Sequence, residues 1–263
     1  MYGIDIYSGD KGINLASGDY QFAIIKATEG RNYVDSMFNE FASTLSVSDK
    51  LIGCYHYARP DKRVDVDDAK KEIDDFLEAV EQARLLGKAI LAIDWEQSPT
   101  DRLDMLKGMC EHLVQTSGII PFIYSSLSFF KKYQDIEFLG NYPHWVAYWT
   151  KIGTVNVGTR PSGMELSYPY TIWQYTENGK YPNFSGKIDL NYTSLSTKTW
   201  AELCKPKFRY EVLSEQMKWA IVNGLFIGYG DGTYRPDENV TRGQLATVLN
   251  RFYNKFIKGE KET

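Results

Sequence analysis

The chain has 263 residues, 43% of them apolar, and a formal net charge of −4, with the slight positive balance confined to its last sixty or so residues. That suits one large domain with a small one attached, and neither part is basic enough to bind nucleic acid. Three widely spaced cysteines, Cys54, Cys110 and Cys204, and three scattered histidines read as buried thiols and packing residues, not as a disulfide framework, a zinc site or another metal centre.

Tyr2–Ile6 reads as a first strand ending near an acid, Asp5, and Phe22–Thr28 as a second. Asp35 is placed to cap a helix carrying Met37, Phe38, Phe41, Ala42 and Leu45 at helical spacing. Leu51–Tyr57 is the third strand, ended by Arg59-Pro60, because a residue before proline is driven out of the helical region. His56 within it reads as a packed strand residue. Asp61, Asp65, Asp67 and Asp68 precede a helix with Ala69, Ile73, Phe76, Leu77 and Val80 on one face. Acids there offset the helix dipole, a simpler account than a metal site. Gly87 is expected to stop this helix.

Lys88–Glu96 follows, an apolar run closing on two acids. Its length and two-sided hydrophobicity indicate an inner strand of a parallel sheet. Alternation then turns Asp94 and Glu96 to the same side. Like charges held close raise one pKa, and a protonated acid beside an ionised one is what glycosidic cleavage requires. A helix starting at Thr100 or Asp101 comes next, with Leu103, Leu106, Met109, Cys110 and Leu113 facing inward. Strands are expected at 119–124, 145–148, 171–175 and 187–189. Eight strands in about 190 residues, alternating with helices in the first half, indicate a compact α/β barrel. Chemistry in such barrels sits at the C-terminal strand ends, where this reading gathers Asp5, Asp94, Glu96 and Asp189.

In this order and spacing, Gly3-Ile4-Asp5, Ile25-Lys26-Ala27-Thr28-Glu29-Gly30, Tyr55–Pro60, Asp94-Trp95-Glu96, Trp173-Gln174-Tyr175-Thr176 and Ile188–Asn191 resemble glycoside hydrolase family 25, the muramidases often found as phage endolysins. The resemblance covers residues 2–195. It implies a flattened, irregular β/α (TIM-like) barrel and hydrolysis of the β-1,4 bond after N-acetylmuramic acid in peptidoglycan, with no cofactor. It places the catalytic acids on Asp5, Asp94, Glu96 and Asp189, with Glu96 as general acid. The partner step stays open between attack by the substrate's own 2-acetamido oxygen, oriented by ionised Asp94, and a carboxylate such as Asp5 acting directly. Retention by acetamido assistance is the favoured route. Tyr57, Tyr124, Tyr148 and Trp173, at or near strand ends, are candidate sugar platforms, with core packing as the other reading. Lys26 and Glu29 form either an ion pair behind the site or one facing solvent. After Asp5 the family usually has a small residue and then Gln-Gly, where this chain has Tyr7–Lys11.

Beyond Lys207 the pattern changes. Ser214 is placed to cap a short helix with Met217, Trp219, Ala220 and Ile221, ended at Gly224. A glycine-rich loop runs to Asp237, and Thr241 with Gln244 forms a capping box opening a second helix. Trp219-Ala220, Gly228–Pro236 and Thr241–Gln244 resemble one S-layer homology repeat, although Gly243 and Gln244 depart from its pattern. The expected organisation is a barrel over 1–198, a linker at 199–210 and a small α-helical wall-binding domain at 211–258. The resemblance implies cell-wall polysaccharide as its ligand. So thin a core needs a cover, either a homo-oligomeric partner through 211–258 or the barrel itself. Met1 leads directly into a strand and no run spans a membrane, so the expectation is synthesis in a host bacterial cytoplasm without a signal peptide. Holin-dependent release would then bring it to a Gram-positive wall. The competing readings are a non-catalytic wall-glycan-binding protein and a chitinase-like acetamido-sugar hydrolase. The latter is disfavoured by Ala92 and Ala89, where that family adds acids.

Overall fold

The structure, a computed structural model, describes residues 1–149, 154–159, 165–206, 215–226 and 239–258. Eight strands close into a barrel: β1 (Tyr2–Ile6), β2 (Phe22–Glu29), β3 (Leu51–Tyr57), β4 (Ala89–Asp94), β5 (Phe122–Ser126), β6 (His144–Ala147), β8 (Ile172–Lys180) and β9 (Ile188–Tyr192). A two-residue strand unforeseen from sequence, β7 (Val155–Asn156), adds to the edge of β8. All neighbouring barrel strands are parallel except β9, which is antiparallel to both β8 and β1. The fifth strand begins later than expected, because Pro121 has no N–H to give the ladder.

Strand alternation splits the interior into two layers. Outward residues such as Ile4, Ile25, Cys54, Leu91, Ile93, Ile123 and Trp173 pack under α1 (Phe38–Ser46), α2 (Val66–Gln82) and α3 (Leu103–Ser117). Inward residues Phe22, Ile24, Tyr55, Ile90, Phe122, Tyr124, Trp145 and Ile172 fill the barrel. Gly3 makes room for this filling: a Cβ there would lie 2.3 Å from the Phe22 ring. The lower end is closed by α5 (Thr197–Leu203), whose Trp200 packs on Phe22 at 4.9 Å between ring centroids and donates to Ile52 O at 3.2 Å. Within 199–204, which the sequence assigns to a linker, Trp200 and Cys204 are therefore buried in the barrel core while the residues between them stay exposed or half-buried.

Three helix boundaries differ from expectation, the first being α3, which begins at Leu103 after Arg102 and not at Thr100 or Asp101. Asp35 does not cap α1, whose N-cap is Met37. It is buried, accepting from Met37 N at 2.9 Å and Ser8 N at 3.1 Å, and so ties the β1 exit to the helix start. α2 ends at Gln82, before Gly87: the left-handed Arg84 turns the chain so that Leu85 enters the core. α2 begins as its acids require, with Asp65 accepting from Asp68 N at 2.8 Å.

At the C-terminal end, α6 (Glu215–Val222) lays Met217 and Ile221 against Val114 of α3 and Tyr142. It is thus docked on the barrel. α7 (Arg242–Phe252) starts with the expected capping box, Thr241 N donating to Gln244 Oε1 at 2.7 Å and Gln244 N to Thr241 Oγ1 at 3.2 Å. It is held to the end of α6 by Arg251 on Leu225 O, Lys255 on Asn223 O and a Trp219–Phe256 ring stack. The Ser214 cap and the glycine-rich loop at 227–237 lie outside the described residues. No helix among the described residues is long and apolar enough to cross a membrane.

Candidate active site

The four acids meet at one mouth of the barrel. Asp5, on β1, sits directly opposite Asp189, on β9. Because β9 runs antiparallel, Asp189 reaches this mouth from the N-terminal end of its strand, so the C-terminal-end rule found the right residue for a reason that does not apply to it. Asp94 ends β4 across the mouth. Trp95 turns outward, is buried and donates to Thr100 O at 3.0 Å. Alternation therefore returns Glu96 to the side of Asp94, beyond the formal end of the strand.

A glutamine fixes the first pair. Gln174 Nε2 donates to both Asp5 oxygens, at 3.2 and 3.1 Å, and to Asp189 Oδ2 at 3.3 Å. Its Oε1 accepts from Tyr124 OH and Trp149 Nε1, each at 2.9 Å, which dictates which end of the amide faces the acids. Asn191 Nδ2 donates to Asp5 Oδ2 at 2.6 Å while its Oδ1 accepts from Trp145 Nε1 at 2.8 Å. Even so, burial pushes Asp5 up to about 7, with those two hydrogen bonds pulling it back and the charges of Asp10 and Glu96 adding to the rise. Asp189 is raised further, to about 9, by burial and then by Asp5 itself. Two facing carboxyls in so dry a place share a proton.

The second pair is asymmetric. Asp94 is 6% exposed and its Oδ1 has no hydrogen-bond partner. Burial raises its pKa well above the usual value, Glu96 raises it further, and Lys26 opposes both. Glu96 stands at the rim, open to solvent on one side; partial enclosure raises its pKa and Lys26 pulls it back. Both carboxyls are thus held above their usual range, Asp94 by deep burial and the charge of Glu96, and Glu96 by partial burial. Lys26 Nζ is 2.7 Å from Glu29 Oε2 and 4.7 Å from the Tyr57 ring centroid, and Arg59 holds the other oxygen of Glu29 at 2.7 Å. Lys26 is mostly buried and its charge acts on Asp94 and Glu96, while its partner Glu29 stays partly exposed.

The proposed platforms divide. Tyr57 and Tyr148 lie at the mouth, Tyr148 42% exposed, and Tyr57 OH donates to Gln97 Oε1 at 3.2 Å. Tyr124 is buried beneath the acids, its ring 4.6 Å from that of Trp145. Trp173 is fully buried and faces away from the barrel interior, its Nε1 on Tyr148 O at 2.9 Å. The Trp173 ring has no face to offer a sugar, since alternation that points Gln174 inward must point Trp173 outward, while Tyr124 keeps a small part of its surface on the mouth cavity. The exposed indole is Trp149, which with Glu96, Tyr124, Ser126 and Tyr148 lines a cavity of about 470 Å3 at the mouth. Gln174, Asn191 and Trp149 were not singled out from the sequence. The signal for the first two was polarity at strand positions that share a face with the acids, Asn191 two residues from Asp189 and Gln174 in a buried run.

The other candidates have local duties. His56 is buried between Thr28 Oγ1 and Glu72 Oε2, each at 2.8 Å, as a packed strand residue. Asp61 pairs with Arg59 and Asp67 with Lys70. Among the described residues no three His, Cys, Asp or Glu side chains are grouped to hold a metal ion.

Comparison with known proteins gives two family matches: Glycosyl hydrolases family 25 over residues 4–184, and the S-layer homology domain over residues 214–246. The autolytic lysozyme of Clostridium acetobutylicum is 26% identical over 198 residues, covering 73% of this chain and 55% of the relative. The chain thus spans a little over half the length of that curated relative. The C-terminal part is 49% identical over 45 residues to cell surface glycoprotein 1 of Acetivibrio thermocellus, covering 17% of this chain and 2% of the other. Among solved structures, the Clostridium perfringens spore cortex lytic enzyme SleM shares the fold with a TM-score of 0.63 at 22% identity, over 76% of this chain and 68% of that one.

Proposed function

The chain belongs to the glycosyl hydrolases family 25, and from that premise we propose that it is a lysozyme of the N-acetylmuramidase type. It cuts the β-1,4 bond between N-acetylmuramic acid and N-acetylglucosamine in peptidoglycan. The observation that carries the reading is Asp94 Oδ1, a buried carboxyl oxygen with no donor, beside a rim carboxyl, Glu96. An acetamido N–H of a bound sugar supplies the missing donor. It stabilises the Asp94 anion and aligns the acetamide oxygen for attack on the anomeric carbon with retention. The same sugar covers Glu96, completes its desolvation and keeps it protonated, ready to give its proton to the leaving oxygen. Asp5 and Asp189, fixed by Gln174 and sharing one proton, leave a single negative charge facing the oxocarbenium-like state. Tyr57, Tyr148 and Trp149 form the walls.

The C-terminal part, 211–258, directs the enzyme to cell-wall polysaccharide, so that the protein acts at a bacterial wall, as an endolysin does after release from the cell that made it. Leu245, Leu249 and Ile257 of α7 and its extension stay 49%, 58% and 63% exposed. That uncovered face supports a homo-oligomer through this part, and a monomeric mass for the full chain in light scattering would end that element of the proposal. The test of the activity is reducing-end analysis of digested peptidoglycan. Muramic acid at the new reducing end is expected; glucosamine there refutes the assignment. An inverted anomer seen early by NMR refutes acetamido assistance.

A further inference from the structure

A second cavity, of about 390 Å3, opens at the other rim of the barrel, where β6 and β8 begin. Its wall is aromatic: Tyr133, Tyr142, His144, Tyr168 and Tyr170. Two of these rings, His144 and Tyr168, are stacked with Phe130, the His144 centroid lying 4.3 Å from Phe130 and 5.9 Å from Tyr168 at interplanar angles of 26° and 16°. His144 Nε2 lies 3.0 Å from Leu139 O, which can only accept, so this nitrogen carries the proton and Nδ1 accepts from Tyr168 OH at 3.3 Å. Burial lowers the pKa of the ring, which is therefore neutral. No Asp, Glu, Lys or Arg among the described residues lines the cavity. Flat aromatic walls with hydroxyl and amide edges and no charge suit a neutral ligand with apolar faces and a polar rim, which describes a pyranose.

The cavity lies on a path from the catalytic mouth. The mouth cavity and a smaller one of about 180 Å3 share Leu127, Lys131 and Tyr148. One side of the smaller cavity is Glu165, Leu166 and Ser167, and the next three residues, Tyr168, Pro169 and Tyr170, line the aromatic cavity. The other side follows α4 (Leu127–Lys132) down to Tyr133. β6 separates the two ends by four residues, about 13 Å at ~3.3 Å per residue, a gap that a few sugar units bridge.

We propose that the aromatic cavity is a second, non-catalytic saccharide site. It holds an N-acetylated pyranose of the same glycan strand that occupies the mouth, and so keeps the enzyme on its polymer between cuts. The identity of the polymer rests on the reading above; the site itself does not. Gly140 lines the cavity, and a Cβ added there meets nothing within 4 Å, so Gly140→Phe fills the space without touching the mouth. With the full chain, this variant should raise KM on insoluble peptidoglycan about 5- to 10-fold while leaving kcat/KM on a short soluble fragment within twofold. Tyr168→Ala, checked for folding by urea denaturation, should behave alike. Crystals of the full chain soaked in chitotetraose should show a sugar ring against Tyr168. Sugar at the mouth alone, or an unchanged KM on insoluble walls for Gly140→Phe, overturns the proposal. If the wild-type chain cleaves neither substrate, the muramidase reading fails and the soaked crystal still decides the site.

Discussion

Asp5→Asn tests the electrostatics of the mouth through folding as well as through activity. Asp5 is 8% exposed and its pKa rises from 3.8 to about 7. Between those values the folded chain keeps a proton that the unfolded chain releases. Stability conferred by the protonated group is therefore complete below about pH 4 and is lost as pH rises toward 7. Three units at about 1.4 kcal/mol each set a ceiling near 4 kcal/mol on the cost at pH 8. Because Asp189 shares the proton and carries part of that cost, about 2 kcal/mol is expected from one substitution. Asn fits the site. Its oxygen accepts from Gln174 and Asn191, and its amide donates to Asp189, which lies directly opposite. Asp5→Asn should therefore be more stable than wild type at pH 8, by roughly 4–8 °C in midpoint, while losing activity. The gain should vanish near pH 4. Urea and thermal unfolding from pH 4 to 8.5 measure it. A variant less stable at pH 8, or a gain that does not shrink on acidification, would show that Asp5 is not held against its charge.

Glu96→Gln, at the exposed rim, should leave the unfolding midpoint unchanged and lower wall-lysis activity by roughly a hundredfold or more; near-normal turnover would remove Glu96 from its role. Lys26→Met removes the cation that lowers both Asp94 and Glu96, so the limbs of the kcat/KM–pH profile should move to higher pH, and an unmoved profile would show that Lys26 does not act on the acids. Trp149→Ala should raise KM several-fold and cost little stability. Trp173→Ala should instead destabilise by about 3–5 kcal/mol, as for a fully buried indole, and the reverse pattern would exchange their roles.

Strand alternation and the two-sided apolar runs are written into the chain locally. They were enough to locate the eight barrel strands in order and to turn Asp94 and Glu96 to one side, as the Thr-to-Gln spacing alone was enough to place the Thr241–Gln244 capping box. The acids on β1, β4 and β9 were legible because a carboxylate beside an apolar run stands out wherever the strand ends. Strand direction and face were not. β9 is antiparallel because β8 pairs with it as a hairpin neighbour, a long-range choice that its few residues do not announce. Trp173 and Gln174 sit in a stretch buried on both faces, where hydrophobicity carries no period, so only closure of the barrel assigned the glutamine to the acids and the indole to the outer core. α5 looked like a linker because a single turn or two with one tryptophan has meaning only once the barrel presents an open lower end to plug. The chain's own residues thus determined which groups are available for chemistry. Packing decided which carboxyls are driest and so resist ionising most, because desolvation depends on neighbours that meet only in the fold.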